Sequence, residues 1–178
     1  MSNKKSHREQ ERKRREKLEE RANIEAFRLK VELRIRNRFP ELSFEHPAVA
    51  AEVEAICAAG LIEGMNTLGE IITSLRTEMG VSPLADKGSL TGSVVSYVLG
   101  ITMDNPLENG KLNNALIAAA GTTPPVHVQI YFDSDVRNQV AAWVKTRFPH
   151  LTASTLLGQP VFKLPKMIVE FRRDIKLS

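Results

Sequence analysis

The residues best equipped for chemistry lie in one short stretch. VHVQIYF alternates apolar Val126, Val128, Ile130 and Phe132 with polar His127, Gln129 and Tyr131, a period-two pattern that makes a half-buried strand and sets the polar three on one face. Asp133-Ser134-Asp135 follows at once. Carboxylates at i, i+2 can project together and hold a divalent cation for phosphoryl transfer. The same tripeptide also fits the cap of a following helix whose apolar face includes Val136, Val140, Trp143 and Val144. His127 has no second His or Cys at ligand spacing, since His7, His46 and His150 are scattered, so neither metal ligation nor a cofactor is expected.

A second candidate is the loop VSPLADKGSLTGS, in which Lys87, Gly88, Ser89, Gly92 and Ser93 precede the apolar run VVSYVLGIT. Small residues opening a helix leave its first backbone donors facing outward, as a phosphate cradle requires. Glycines at a helix entry serve tight packing or turn geometry equally well. The third candidate is a cluster of cations, Lys4, Lys5, Arg8, Arg12, Lys13, Arg14, Arg15 and Lys17. Such a cluster attracts phosphate through counterion release. It also suits an acidic protein partner or a solubilising tail. No aromatic side chain is interleaved, so base stacking is not expected and any binding should be non-specific and salt-sensitive.

The elements around these candidates set the frame. The length of 178 residues suits one domain with an appendage. From Met1 to Pro40 there are 14 Lys and Arg against 7 Glu, and the remainder carries 11 basic against 14 acidic residues; the cationic character resides in the arm. Residues 3 to 23 hold almost no apolar side chain apart from Leu18, too few to offset the entropy of ordering in a core. Strong helix formers with Glu and Lys or Arg at helical spacing predict a solvated, fraying helix there. We therefore divide the chain into a basic helical or disordered arm (1–24), a folded domain (25–150) and a C-terminal extension (151–178).

Between Phe27 and Ile35 apolar and charged residues alternate strictly, as in a strand, yet Ile24, Phe27, Val31 and Ile35 also share one helical stripe. Periodicity leaves both open. His46-Pro47 opens a helix with a face of Glu52, Val53, Ile56 and Cys57, and a further helix is expected from Asn66 to Met79, stopped by Gly80. The stretch PVFKLPKMIVEF predicts one more strand, broken by Pro165. The lone Cys57, in the run AICAAGLI, reads as a packed thiol. No apolar run is long enough to span a bilayer and the start MSNKKSHREQ lacks a signal-peptide core, so a cytoplasmic protein without membrane contact is expected.

The segment from about Glu25 to Phe148 resembles the palm of the C-family bacterial replicative DNA polymerases, the alpha subunit of DNA polymerase III. That family carries glycine-arginine-glycine-serine, two small residues and glycine-serine, then an apolar helix ending leucine-glycine-isoleucine-threonine and a proline-leucine pair. Here stand Lys87-Gly88-Ser89-Leu90-Thr91-Gly92-Ser93, VVSYVLGIT and Asn105-Pro106-Leu107. Upstream, EAFRLKVELRIRNRFPEL and EVEAICAAG resemble two palm helices, so the resemblance implies a helix over Glu25 to Arg38. Downstream, Phe132 to Val140 resembles the segment after the catalytic strand.

The resemblance implies an α+β, palm-like nucleotidyltransferase-type core, helices packed on a small mixed sheet, with Val126–Phe132 central and the helix Ser93 to Leu99 against it. It also implies what is missing. Aligned on Phe132, His127, Gln129 and Tyr131 occupy the positions of the family's catalytic aspartates, and none supplies the anionic oxygen that Mg²⁺ takes. Family members are several times longer, and nothing in this sequence corresponds to their fingers, thumb or clamp-binding region. The expectation is a degenerate palm, catalytically inactive, binding nucleic acid through its arm or serving a larger protein or nucleoprotein assembly; such a reduced fragment fits an accessory protein of a phage or mobile element. The alternative is a small metal-dependent nucleotidyltransferase whose carboxylates are Asp133 and Asp135.

Overall fold

The computed structural model describes residues 2–174. Met1 of the arm and residues 175–178 of the C-terminal segment lie outside the described residues. The chain begins with α1 (Ser2–Arg38), a single 37-residue helix. Its first half is supported along its own surface by the i, i+4 pairs Lys13–Glu9 and Arg12–Glu16, each exposed and of small individual value. From Ile24 onward Phe27, Val31 and Ile35 turn inward and are buried, while Leu29 and Leu33 remain exposed. The alternation between Phe27 and Ile35 therefore does not make a strand. A helical stripe that buries Phe27, Val31 and Ile35, at about 1.5–3 kcal/mol per large side chain, decides the conformation.

Two helices continue the layer. Pro47 starts α2 (Pro47–Ala58), and the preceding His46 accepts from Ala48 N through its ring, satisfying one of the first-turn donors that a helix leaves open. Helix α3 (Ile62–Ser74) runs into a π-helical turn (Leu75–Met79) and stops at Gly80, whose φ of 68° is left-handed. Cys57 is half-buried and burial raises its pKa, as expected for a packed thiol. The short α4 (Val94–Val98) and α5 (Ala115–Ala120) follow. The run VVSYVLGI is largely interior, with Val94, Val95, Ser96, Val98, Leu99 and Ile101 all buried.

The sheet has the order β1-β4-β3-β2, built from β1 (Val126–Phe132), β2 (Thr152–Leu156), β3 (Gln159–Leu164) and β4 (Met167–Arg173), with α6 (Arg137–Arg147) between β1 and β2. Strand β1 runs parallel to β4, with Gln129 opposite Glu170 and Tyr131 opposite Arg172. The other pairs are antiparallel. The fold is thus α+β, helices packed on a small mixed sheet. Phe132, Phe162 and Phe171 form its aromatic centre, with ring centroids 5.0 and 5.1 Å apart.

Three details differ from the sequence expectation. Strand β1 is an edge strand, although its outer side is covered by the glycine loop. Residues 151–173, set apart above as an extension, supply β2, β3 and β4, the strands to which β1 is joined; Pro165 marks the turn between β3 and β4 rather than a break in one strand. Helix α4 lies chiefly against α1 and α2 and not on β1.

Candidate functional site

The glycine loop is bound to the outer edge of β1. Leu84 N donates to Tyr131 O at 2.9 Å, Ser89 N to Gln129 O at 3.1 Å, and Gln129 N returns to Ser89 Oγ at 2.9 Å. Gly88 has φ of 114°, and a Cβ there would stand 2.8 Å from Gln129 O, so only glycine permits this approach. Gly92 is packed as tightly against Asn113. Lys87 is ion-paired with Asp174 at the end of β4, and this pairing raises its pKa.

Ser93 opens α4 in the manner of an N-cap, its Oγ accepting from Ser96 N at 3.0 Å. It also donates to Glu52 Oε2 at 3.1 Å. Glu52, 2% exposed, takes Val94 N on Oε1 at 3.2 Å and Val95 N on Oε2 at 2.8 Å. Burial raises its pKa and the three hydrogen bonds oppose that shift. The first-turn donors of α4 are therefore satisfied from within by a carboxylate, at the end of the helix where an anion is favoured. At the other end Arg34 donates to Val98 O and Arg76 to Gly100 O. Glu52 stands in the sequence only as a member of the buried face of α2; a carboxylate inside the apolar run PAVAAEVEAICA was the signal that it must have buried donors to meet.

His127, Gln129 and Tyr131 do share a face, opposite the buried Val126, Val128, Ile130 and Phe132. Beside them on β4 stand Ile168, Glu170 and Arg172. Arg172 lies over the Tyr131 ring, 5.6 Å from its centroid, and pairs with Glu170 at 3.6 Å. The pairing of β1 with β4 brings Glu170 and, beyond the strand end, Asp174 beside this face, both engaged by cations. Asp133 and Asp135 are exposed at the end of β1. Neither caps α6, whose N-cap position is Val136 and which has no side-chain cap; instead the Asp133 carbonyl accepts from Val136 N and Arg137 N. Among the described residues no group of three or more His, Cys, Asp or Glu side chains is placed to hold a metal ion.

The cationic cluster is not part of this neighbourhood. Lys4, Lys5, Arg8, Arg12, Lys13, Arg14, Arg15 and Lys17 are all exposed on the projecting half of α1. Lys4, Arg8, Arg12 and Arg15 follow i, i+4, i+8, i+11 spacing and so share one side of the helix. No helix among the described residues is long and apolar enough to cross a membrane.

Comparison with known proteins places this arrangement in a distant relationship. No family model matches the chain. DNA polymerase III subunit alpha from two strains of Mycobacterium tuberculosis (CDC 1551 / Oshkosh and ATCC 25618 / H37Rv) is 27% identical over 126 residues, which is 70% of this chain. The aligned region spans 10% of those polymerase subunits. The chain is thus distantly similar to a tenth of a replicative polymerase subunit.

Proposed function

We propose that this protein is a polymerase-palm relative without catalytic activity that binds nucleic acid non-specifically through α1. The observation that carries the reading is the rod formed by the first half of α1: residues 3–23 are exposed throughout and belong to the same helix whose second half is locked into the core. A helix rises 1.5 Å per residue, so residues 3–15, beyond the turn of α1 that lines a groove against Gly60, Glu63 and Lys166, extend about 20 Å and offer cations to phosphates along that length.

The absence of catalysis in this reading rests on the face of β1. His127, Gln129 and Tyr131 offer no anionic oxygen, and two-metal phosphoryl transfer depends on several carboxylates around the ions. The glycine loop, with Lys87, Gly88, Ser89, Gly92 and Ser93, then serves as a packing device for β1 and α4 more than as a phosphate cradle, because Ser89 N, Ser93 N, Ser93 Oγ and Lys87 already have partners.

Electrophoretic mobility shift across a salt series tests the proposal. Single- and double-stranded DNA and RNA should all be retarded at low salt and released as salt rises. No shift for any of them at low salt contradicts it, and a pull-down that depends on the arm would then point to an acidic protein partner within a larger assembly. The enzymatic alternative, a nucleotidyltransferase using Asp133 and Asp135, draws support from Glu170 on the adjacent strand and Asp174 just past its end; divalent-cation binding that depends on Asp133 and Asp135 would favour it.

A further inference from the structure

Arg137, the first residue of α6, is 3% exposed. A buried charge ordinarily has a charged partner, yet its guanidinium meets neutral acceptors alone. Nη1 donates to Gln159 Oε1 at 2.7 Å and to Phe171 O at 3.0 Å, and Nε to Asn138 Oδ1 at 3.0 Å. Among the described residues Nη2 makes no hydrogen bond and no carboxylate comes within ion-pair distance. Burial, and after it the neighbouring Arg173, lower the Arg137 pKa, as befits a cation that lacks compensation.

Arg137 lies in the wall of a groove of about 480 Å³ between α6 and the β2–β3 hairpin, within the size range of small-molecule sites. Lys145 lines the same groove, together with Asn138, Ser154 and Thr155, and among the described residues no acidic side chain does. Asp133 and Asp135 precede the helix but do not reach the lining. Phe162 provides an apolar wall, and Ala142 and Gly158 keep the groove open.

We propose that this groove binds a phosphate monoester of nucleotide size. A guanidinium with no acid beside it and an unused Nη2 matches a doubly charged phosphate better than a singly charged carboxylate. Arg137 Nη2 receives the phosphate, with the Thr155 hydroxyl, on the same face of the hairpin as Ala153 and Phe162, as a further donor, and the body of the ligand lies against Phe162. Lys145 is eight residues farther along α6, about 12 Å by helical rise, and meets the far end of the ligand. The site is separate from the arm and from the proposed reading of it.

Amide chemical shifts of the full chain, titrated with a nucleoside monophosphate and separately with inorganic phosphate, decide the matter. The expected result is saturable movement of Asn138, Ser154, Thr155 and Gly158 with the nucleotide, weaker movement of the same residues with inorganic phosphate, and no dependence on the arm. Ala142→Glu and Lys145→Glu, both at exposed positions, should each weaken binding, Ala142→Glu about tenfold or more by bringing a carboxylate toward the phosphate and Lys145→Glu less, by reversing the charge at the far end of the ligand, with the remaining spectrum unchanged. These surface variants keep the test decisive even where Arg137→Gln unfolds. Movement confined to residues 4–17, absence of saturation up to about 10 mM ligand, or indifference to Ala142→Glu overturns the proposal.

Discussion

Ser93 Oγ lies 3.1 Å from Glu52 Oε2 in the interior of the protein, so the serine that opens α4 is held by a carboxylate of α2. The same carboxylate carries the Val94 and Val95 amides. A helix start that has the composition of an external anion site is thereby an internal joint between two helices.

The joint should give the stability curve a recognisable pH segment. Burial raises the Glu52 pKa above its ordinary 4.5, so the folded state binds this proton more tightly than the unfolded chain does. Stability contributed by that proton is present below about 4.5 and is lost as pH rises through the folded value. Denaturant midpoints measured across this range should fall with rising pH in the natural protein and lack that segment in Glu52→Gln. Parallel curves for the two would contradict the assignment. Glu52→Ala, which leaves two buried amides without acceptors, should cost about 1–3 kcal/mol at neutral pH.

Gly88 provides a second check on the loop. Its left-handed φ and the 2.8 Å separation from Gln129 O that a Cβ would have predict that Gly88→Ala loses about 1–3 kcal/mol. Nucleic-acid affinity of the folded fraction should be unchanged, because the glycine fits the loop to β1. A variant of normal stability that binds DNA much more weakly would instead return the loop to the role of a phosphate cradle.

The arm and the core should be separable in stability. Residues 3–23 are exposed, and removing residues 1–23 takes little apolar surface from the core. Thermal melts of the two proteins should agree within a few degrees, the scale of roughly 1 kcal/mol for a domain of this size. A larger fall would mean that the arm supports the core through contacts beyond Ile24.

Much of this arrangement is legible in the sequence, and the parts that are not share a cause. The face of His127, Gln129 and Tyr131 follows from local alternation, and α2 and the end of α3 follow from His46-Pro47 and Gly80. The conformation of Phe27 to Ile35 did not follow from its own pattern, since alternation and a helical stripe coincide there; burial of Phe27, Val31 and Ile35 against other elements decided it. The strands β2 to β4 were foreshadowed by one broken strand because short runs such as Thr152–Leu156 have weak patterning and depend on cross-strand partners. Glu170 and Asp174 came beside β1 only through that pairing, and Glu52 met Ser93 only through the packing of α2 on α4.

Restoring aspartate at His127, Gln129 and Tyr131 tests what the β1 face has retained. Three carboxylates on one side of the strand, joined by Glu170 opposite Gln129, should repel one another and lower the melting temperature, and millimolar Mg²⁺ should recover part of the loss. The natural protein should show no Mg²⁺-dependent stabilisation. If it does, and if Asp133→Ala with Asp135→Ala abolishes the effect, the enzymatic alternative gains over the binding one.

The most direct test of nucleic-acid binding through α1 is the salt dependence of affinity for a labelled duplex, measured by fluorescence anisotropy for the natural chain and for a variant with Lys4, Arg8, Arg12 and Arg15 replaced by alanine. Each phosphate contact contributes about −0.9 to the slope of log K against log salt on duplex DNA. The account predicts a steep slope for the natural chain and one shallower by up to about 3.6 for the variant, four contacts at that value. Equal slopes and equal affinities for the two proteins would contradict it.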